Sequence, residues 1–189
     1  MGFLVTCVVG LHSKGKVWIG GDSAGTDTTL MRVLRKDPKV FKLGSEYIIG
    51  YAGSFRFGQV LRYKFVPPEK PEGKDDYEFM VVDWLDGLRT VLKDSGFTKI
   101  DDNVETFEDS SALIGYNGRL YCLEEDMQVG ELIVPYAAIG CGADFAFGSI
   151  ETSSKLSKRM APRKRVQLAL EAAATFSAGV SAPFTIQCL

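Results

Sequence analysis

The 189-residue chain lacks much of what several protein classes need. It has one histidine and four cysteines, no two of them in a Cys-x-x-Cys pair, so we expect neither a metal site nor a redox motif. A net charge of −2 gives no surplus of positive charge for nucleic acid. The apolar run at residues 2–11 has no positive leader and is far shorter than the roughly 20 residues of a membrane helix, so neither a signal peptide nor a membrane span is expected. A chain of this size needs no disulfide frame, which predicts a reducing, cytoplasmic location.

What the sequence does have is enough apolar side chains for one sizeable core. Hydrophobic residues make up 46% of the chain, and its length suits a single domain. The one linker-like stretch, residues 67–76, is too short to divide two domains and is predicted to be a surface loop between two helices.

Apolar periodicity predicts a fold in which strands and helices are grouped. Three hairpins are expected, at residues 3–22, 39–53 and 111–123, the last with the turn-forming pair Asn117-Gly118. Apolar residues at helical spacing predict helices at residues 54–65, 76–95, 143–157 and 162–177. Two further apolar runs predict strands at residues 134–140 and 183–188. Grouped elements favour an α+β fold in which two antiparallel sheets lie between helix pairs.

Polar side chains are expected to meet at one end of the first hairpin. If Leu11 pairs with Lys16 across the turn, Thr6 lies near Gly21, and Asp22 falls one step beyond. The Thr6 hydroxyl and the Asp22 carboxylate are therefore predicted to converge.

The second hairpin adds two more polar groups at one of its ends. Lys39 enters this hairpin and Gly53 leaves it. A hydroxyl near the chain start, a carboxylate, an ammonium and a glycine turn are the parts of an N-terminal threonine nucleophile site. If residues 1–5 are removed as a propeptide, the α-amine of Thr6 can act as the base, and residues 6–189 form the single domain.

These segments resemble the proteasome β-subunit family, and most closely its bacterial branch, a ring peptidase that works with an unfolding ATPase. The resemblance rests on residues 6–10, 17–23, 39–43, 49–54, 138–142 and 166–189. It implies a four-layer αββα sandwich, the N-terminal nucleophile hydrolase fold. It also implies a threonine endopeptidase that degrades unfolded polypeptides in homo-oligomeric rings of six or seven subunits, with an unfolding ATPase ring as partner and with no cofactor, metal, nucleic acid or membrane.

The resemblance also implies a role for each residue of the predicted site. The Thr6 hydroxyl attacks a peptide carbonyl, and the freed α-amine takes its proton. Lys39 supplies positive charge, and Asp22 holds Lys39 charged and oriented. The Gly53 N–H donates to the oxyanion, and one such donor is worth roughly 3–4 kcal/mol of barrier.

Five further positions follow from the resemblance. Cys141 stands where the family usually has a serine, and Ser181 takes the place of its helping serine. Gly25, Tyr51 and Phe55 belong to the substrate pocket. Because two of them are bulky, we expect a shallow apolar pocket for small or medium side chains.

Assembly and activity leave open questions at this stage. Apolar helix faces that include Trp84 and Leu88 are expected to help form the rings. Val5 is β-branched and can slow cleavage before Thr6, so one alternative is an inactive ring or assembly subunit that keeps residues 1–5. Another is a cysteine nucleophile, freed by cleavage before Cys7. The intact mass of the purified chain separates the three.

Overall fold

The structure, a computed structural model, describes residues 6–26, 31–107 and 109–189. The predicted propeptide, residues 1–5, lies outside these ranges. The strands are β1 (Val8–Ser13), β2 (Lys16–Gly21), β3 (Ala24–Thr26), β4 (Arg32–Leu34), β5 (Val40–Leu43), β6 (Tyr47–Ala52), β7 (Lys99–Asp101), β8 (Val104–Thr106), β9 (Ser111–Tyr116), β10 (Arg119–Leu123), β11 (Val129–Glu131), β12 (Tyr136–Ile139) and β13 (Thr185–Cys188). The helices are α1 (Phe55–Tyr63), α2 (Asp76–Phe79), α3 (Leu85–Asp94), α4 (Ala143–Leu156) and α5 (Pro162–Phe176).

Two antiparallel sheets form the centre of the molecule. One has the strand order β12-β1-β2-β13, and the other has the order β11-β10-β9-β6-β5. The short strands β3 and β4 pair with each other, as do β7 and β8.

Three separate apolar clusters show that the molecule has four layers. One cluster joins the five-stranded sheet to α1, α2 and α3, and a second joins the four-stranded sheet to α4 and α5. The third lies between the two sheets and is built from β-branched and aliphatic side chains such as Val8, Ile19 and Ile48. The predicted α+β fold with an αββα sandwich is confirmed.

Glycines let the two sheets approach each other closely. A Cβ on Gly50 would lie 2.6 Å from Val8 Cγ1, and one on Gly115 would lie 2.8 Å from Val17 Cγ1. No side chain fits at these positions, so side chains of the four-stranded sheet lie directly against the backbone of β6 and β9. This brings the end of the first hairpin against the end of the second.

The register of the first hairpin differs from the predicted one by two residues. Leu11 pairs with Trp18, and Ser13 pairs with Lys16. The cause is a two-residue turn at Lys14 and Gly15, whose φ values of 53° and 72° suit a tight hairpin that the prediction had drawn as four residues. A shift of two keeps every side chain on its face, so the predicted convergence survives the error.

The predicted helix at residues 76–95 is continuous but changes its winding. Its middle, Met80–Trp84, is a π-helical segment between α2 and α3. Trp84 and Leu88 are fully buried in the chain's own core, so the expectation that they contribute to ring assembly is wrong. They fill the space between α3 and the five-stranded sheet.

Within the described residues, no helix is long and apolar enough to pass through a membrane.

Candidate active site

Three chain segments carry the predicted catalytic side chains to one point between the sheets. Thr6 directly precedes the buried residue before β1, Asp22 follows β2, and Lys39 precedes β5. Each of the three is only 2% exposed. A Cβ on Gly21 would lie 3.7 Å from the Lys39 Cβ, so the close approach of the sheets is what brings Lys39 to the first hairpin.

Lys39 bridges the hydroxyl and the carboxylate. Its Nζ donates a short hydrogen bond to Thr6 Oγ1 and a second, 2.8 Å long, to Asp22 Oδ1. A buried charge of either sign is costly alone, and the pairing offsets that cost. The predicted trio of Thr6, Asp22 and Lys39 is therefore brought into direct contact.

Asp22 is held by backbone donors from three segments. Its Oδ1 accepts from the Cys7 N–H at 3.1 Å, and its Oδ2 accepts from the N–H groups of Ala24 at 2.8 Å and Ser181 at 3.3 Å. A carboxylate with this many donors has one fixed orientation. Asp22 thus ties the start of β1 to the chain before β13.

The environment of Lys39 acts on its pKa in two opposing directions. Burial lowers the pKa below its usual range, and the Asp22 carboxylate raises it by a smaller amount. The net shift of the pKa is downward, so Lys39 loses its proton and becomes a neutral amine at lower pH than a lysine on the surface. A neutral amine beside Thr6 Oγ1 can accept the hydroxyl proton.

Gly53 forms a left-handed turn at the end of β6. Its φ is +98°, and a Cβ there would overlap the backbone of Asp109, so only glycine fits. Within the described part of the chain, its N–H has no hydrogen-bond partner. Its neighbour Ala52 reaches Gly140, which in turn contacts Thr6, so the free N–H lies at the Thr6 end of the sheet.

The carbonyl oxygen of Thr6 is fixed by the turn before α4. The Gly142 N–H donates to it at 3.2 Å, and Cys141 Sγ lies 3.5 Å away. Gly140 has φ +89°, and a Cβ on it would overlap this same oxygen. Cys141 is exposed, and its sulfur also lies 3.2 Å from the hydroxyl of Ser177.

Ser181 reaches the site through its backbone. Its N–H holds Asp22, and its carbonyl accepts from the Ser23 N–H at 3.0 Å. The side-chain role predicted for Ser181 stays a prediction. Ser177, which touches Cys141, was not predicted, because a lone serine after a helix is a common capping residue and carries no pattern of its own.

The predicted pocket residues lie around one aromatic ring. A Cβ on Gly25 would lie 3.3 Å from Phe55 Cε2, and the Tyr51 ring meets the Phe55 ring edge-on, with 6.3 Å between centroids. Tyr51 is buried between Gly58 and Phe55, so its ring packs against the ring of Phe55. The Arg35 guanidinium covers the ring of Phe55 at 3.9 Å.

Arg35 is a pocket residue that the sequence reasoning missed. Its guanidinium binds Asp37 through two hydrogen bonds of 2.9 and 2.7 Å, which lower the pKa of that carboxyl. Arg35 was not named from the sequence, although an acid two positions after an arginine in a β-rich segment is a recognisable pairing pattern.

Solved structures with the same overall fold were found by comparison. Thiobacillus denitrificans BPH in complex with epoxomicin superposes with a TM-score of 0.79 at 18% sequence identity, over 97% of both chains. Eukaryotic HslV from Trypanosoma brucei gives 0.69 at 13% identity, over 97% of this chain and 98% of that one. Anbu, an ancestral beta-subunit, from Yersinia bercovieri gives 0.64 at 14% identity, over 96% of this chain and 80% of that one.

The fold is that of proteasome-type β-subunits. No protein-family model matches the sequence, and no curated protein matches it. At these identities, the likeness is one of fold, and the chemistry must be argued from the residues described above.

The same geometry speaks against Cys7 as a nucleophile. Because alternate side chains of a strand point to opposite faces, Cys7 points away from Lys39, into the cluster under α4 and α5. The side chain is fully buried, and burial together with Asp22 raises the pKa of its thiol well above the usual range. A thiol in this state is a poor nucleophile.

Within the described ranges, no group of three or more histidine, cysteine, aspartate or glutamate side chains is placed to hold a metal ion.

Proposed function

We propose that this chain is a threonine-type endopeptidase subunit that degrades unfolded polypeptides inside a ring, with Thr6 as its N-terminal nucleophile. The observation that carries the proposal is the buried contact of Thr6 Oγ1 with Lys39 and of Lys39 with Asp22. A proteasome-type fold supports the same conclusion at a coarser level.

Self-cleavage is the first step of the proposed chemistry. In the full-length chain, the nitrogen of Thr6 is part of an amide and cannot act as a base. Lys39, whose pKa is lowered by burial, then accepts the hydroxyl proton while the Thr6 oxygen attacks the carbonyl of Val5. The Val5–Thr6 peptide bond then breaks as the proton passes from Lys39 to the Thr6 nitrogen, which leaves Val5 as an ester on the Thr6 oxygen. Water hydrolyses this ester, releases residues 1–5 and leaves a free α-amine on Thr6.

Turnover uses the freed amine. It takes the hydroxyl proton of Thr6, directly or through water, and the oxygen attacks the substrate carbonyl. The proton then passes to the nitrogen of the substrate's peptide bond, which breaks and leaves an ester on Thr6. The free N–H of Gly53 donates to the oxyanion that develops. Water then hydrolyses the ester and restores the hydroxyl.

The alternative is an inactive ring subunit that keeps residues 1–5. It is favoured by the burial of Thr6, which is only 2% exposed in the full-length chain. Such a subunit would have the same fold and no turnover. A single experiment distinguishes the two.

The test compares the full-length chain with a chain expressed so that Met directly precedes Thr6. Because threonine is small, this methionine is removed and Thr6 becomes the N-terminal residue. We expect this chain to hydrolyse a denatured, fluorescently labelled polypeptide at least as fast as the full-length chain. Thr6→Ala should abolish hydrolysis, and the exposed hydroxyl variant Thr90→Ala should leave it unchanged. Activity that survives Thr6→Ala would exclude Thr6 as the nucleophile, and a folded, inert Met-Thr6 chain would favour the alternative.

Two further parts of the proposal follow from the resemblance of the sequence to the proteasome β-subunit family. We propose homo-oligomeric rings of six or seven subunits in the cytoplasm, with an unfolding ATPase ring as partner. The Thiobacillus protein binds epoxomicin, and we propose that the same compound binds at Thr6 here and blocks hydrolysis.

A further inference from the structure

A cavity lies at the turn of the first hairpin, far from the candidate active site. Its volume is about 850 Å³, and it is bounded by the β1–β2 turn and by the chain between α4 and α5. Thr6 is at the other end of β1, and six strand residues span roughly 20 Å. The proposed peptidase chemistry does not use this cavity.

The lining of this cavity is strongly cationic. Five of its side chains carry a positive charge and none carries a negative one, the five being Lys14, Lys16, Lys158, Arg159 and Arg165. None of the five forms an ion pair with any residue that the structure describes. Several cations elsewhere on this chain are paired, as Lys70 is with Asp76 and Arg119 with Glu131. We call this site the cation cavity.

The start of helix α5 faces the cation cavity without the usual compensation. Helix N-termini are electropositive and favour acidic residues in the first turn. Here the first turn has no acidic residue, the cap residue Ala161 offers no side-chain acceptor, and the turn instead holds Arg163-Lys164-Arg165. Positive side chains in the first turn are unfavourable for the helix dipole. A sequence that departs from such a local preference with no compensating contact is typical of a functional position.

Arg165, in the lining of the cation cavity, has a buried hydrogen-bond donor that no acceptor among the described residues satisfies. Its terminal nitrogens donate to Ser154 Oγ at 3.1 Å and to the Ser157 carbonyl at 2.6 Å, which fixes the guanidinium. Its Nε is buried and has no hydrogen-bond partner in the structure described. A buried donor of this kind costs free energy unless an acceptor satisfies it.

We propose that the cation cavity binds a compact polyphosphate. The five unpaired cations and the uncompensated N-terminus of α5 supply the charge, and the fixed guanidinium of Arg165 orients the ligand. A volume of about 850 Å³ is within the range of small-molecule sites, which favours a compact ligand over a long nucleic acid. Trp18, which also lines the cavity, offers an aromatic ring on which a nucleoside can pack, so both inorganic polyphosphate and nucleoside polyphosphates match this chemistry.

The test is calorimetric titration of the purified full-length chain with inorganic tripolyphosphate, ATP and adenosine in separate runs. Trp18 fluorescence gives a second readout, since the other tryptophan, Trp84, is buried in the opposite helix layer. We expect tripolyphosphate to bind and to change Trp18 emission. Tighter binding of ATP than of tripolyphosphate would identify a nucleotide as the ligand, and equal binding would identify inorganic polyphosphate.

A matched pair of double variants locates the binding. Lys16→Ala with Lys158→Ala removes two exposed lysines of the cavity, and Lys42→Ala with Lys93→Ala removes two exposed lysines elsewhere, so both variants have the same net charge. We expect the first to weaken tripolyphosphate binding at least about tenfold, as two lost charge-assisted contacts imply, and the second to leave it within about twofold. No binding of tripolyphosphate, equal weakening in both variants, or binding of adenosine alone would overturn the proposal. Binding of a single-stranded oligonucleotide without binding of tripolyphosphate would overturn it in favour of a nucleic-acid site.

Discussion

Lys39 determines the electrostatics of the candidate site at the scale of single residues. It is the one cation in contact with Thr6 Oγ1 among the described residues, and it is buried between two sheets. Burial lowers its pKa, whereas Asp22 raises it. The rate of any step in which Lys39 accepts a proton should therefore depend on this balance.

Self-cleavage before Thr6 should accelerate as the pH rises through the lowered pKa of Lys39, that is, below the 10.5 of an ordinary lysine. Asp22→Asn removes the charge that raises this pKa, so the rising limb should move to lower pH. The fraction of cleaved chain, measured by mass spectrometry over time at several pH values, checks the shift. A limb that moves to higher pH, or does not move, would contradict the role given to Lys39.

Gly140 controls the position of the Thr6 carbonyl. Gly140→Ala would place a methyl group on this oxygen and would also strain a backbone with φ +89°. In the chain whose Met directly precedes Thr6, we expect Gly140→Ala to lower the rate of hydrolysis by about 100-fold, which is the effect of a misplaced nucleophile. Gly130→Ala is the control, because nothing lies within 4 Å of a Cβ there. Similar rates for both variants would show that the carbonyl need not be fixed.

The sequence predicts a good part of this site, because two hairpins whose ends carry Thr6, Asp22, Lys39 and Gly53 must converge once the sheets stack. It does not predict contacts that depend on side-chain packing. The Arg35 guanidinium over Phe55 is of this kind, since nothing in the chain order requires that contact. The fixing of Asp22 by the Ser181 N–H is another, because the two lie 159 positions apart.

At the scale of secondary structure, long periodic elements were predicted and short ones were missed. The two main sheets and the helix pairs follow from apolar spacing. Strands β3, β4, β7, β8 and β11 have three residues each, which is too short for an alternating pattern. The register error in the first hairpin has another cause: a turn of two residues and one of four leave the same apolar runs on either side.

Helix α1 provides a test of how the outer layer packs. A Cβ on Gly58 would overlap the ring of Tyr51, so Gly58→Ala should lower the free energy of unfolding by about 1–3 kcal/mol. Gly148→Ala makes the same change in α4, where the space is open, and should raise it by about 0.5–1 kcal/mol. Chemical denaturation measures both. A destabilised Gly148→Ala or an unaffected Gly58→Ala would contradict the packing described here.

At the scale of the whole molecule, the outer helix layer of α4 and α5 leaves apolar side chains uncovered. Phe145, Leu156 and Phe176 are 41, 81 and 71% exposed, and the rings of Phe145 and Phe176 contact each other at a tilt, with centroids 5.5 Å apart. A contiguous apolar patch on a folded chain is typical of an interface between proteins. This patch, and not the buried Trp84 and Leu88, is where the proposed rings should make contact.

Assembly should therefore be sensitive to charge on this patch. Phe176→Asp is expected to reduce the sedimentation coefficient of the purified protein, because a desolvated carboxylate opposes association. Ile100→Asp, at another exposed apolar position, should have no effect. A wild-type chain that sediments as a monomer at micromolar concentration would contradict the ring proposal, and an assembly unchanged by Phe176→Asp would exclude this patch as the contact.

The intact mass of the chain after expression and purification tests the central proposal, that Thr6 becomes an N-terminal nucleophile, most directly. The account predicts a mass that corresponds to residues 6–189, with the full-length mass retained in Thr6→Ala and in Lys39→Ala and lost in the exposed control Lys42→Ala. A wild-type mass that still includes Val5, or one that begins at Cys7, would contradict it.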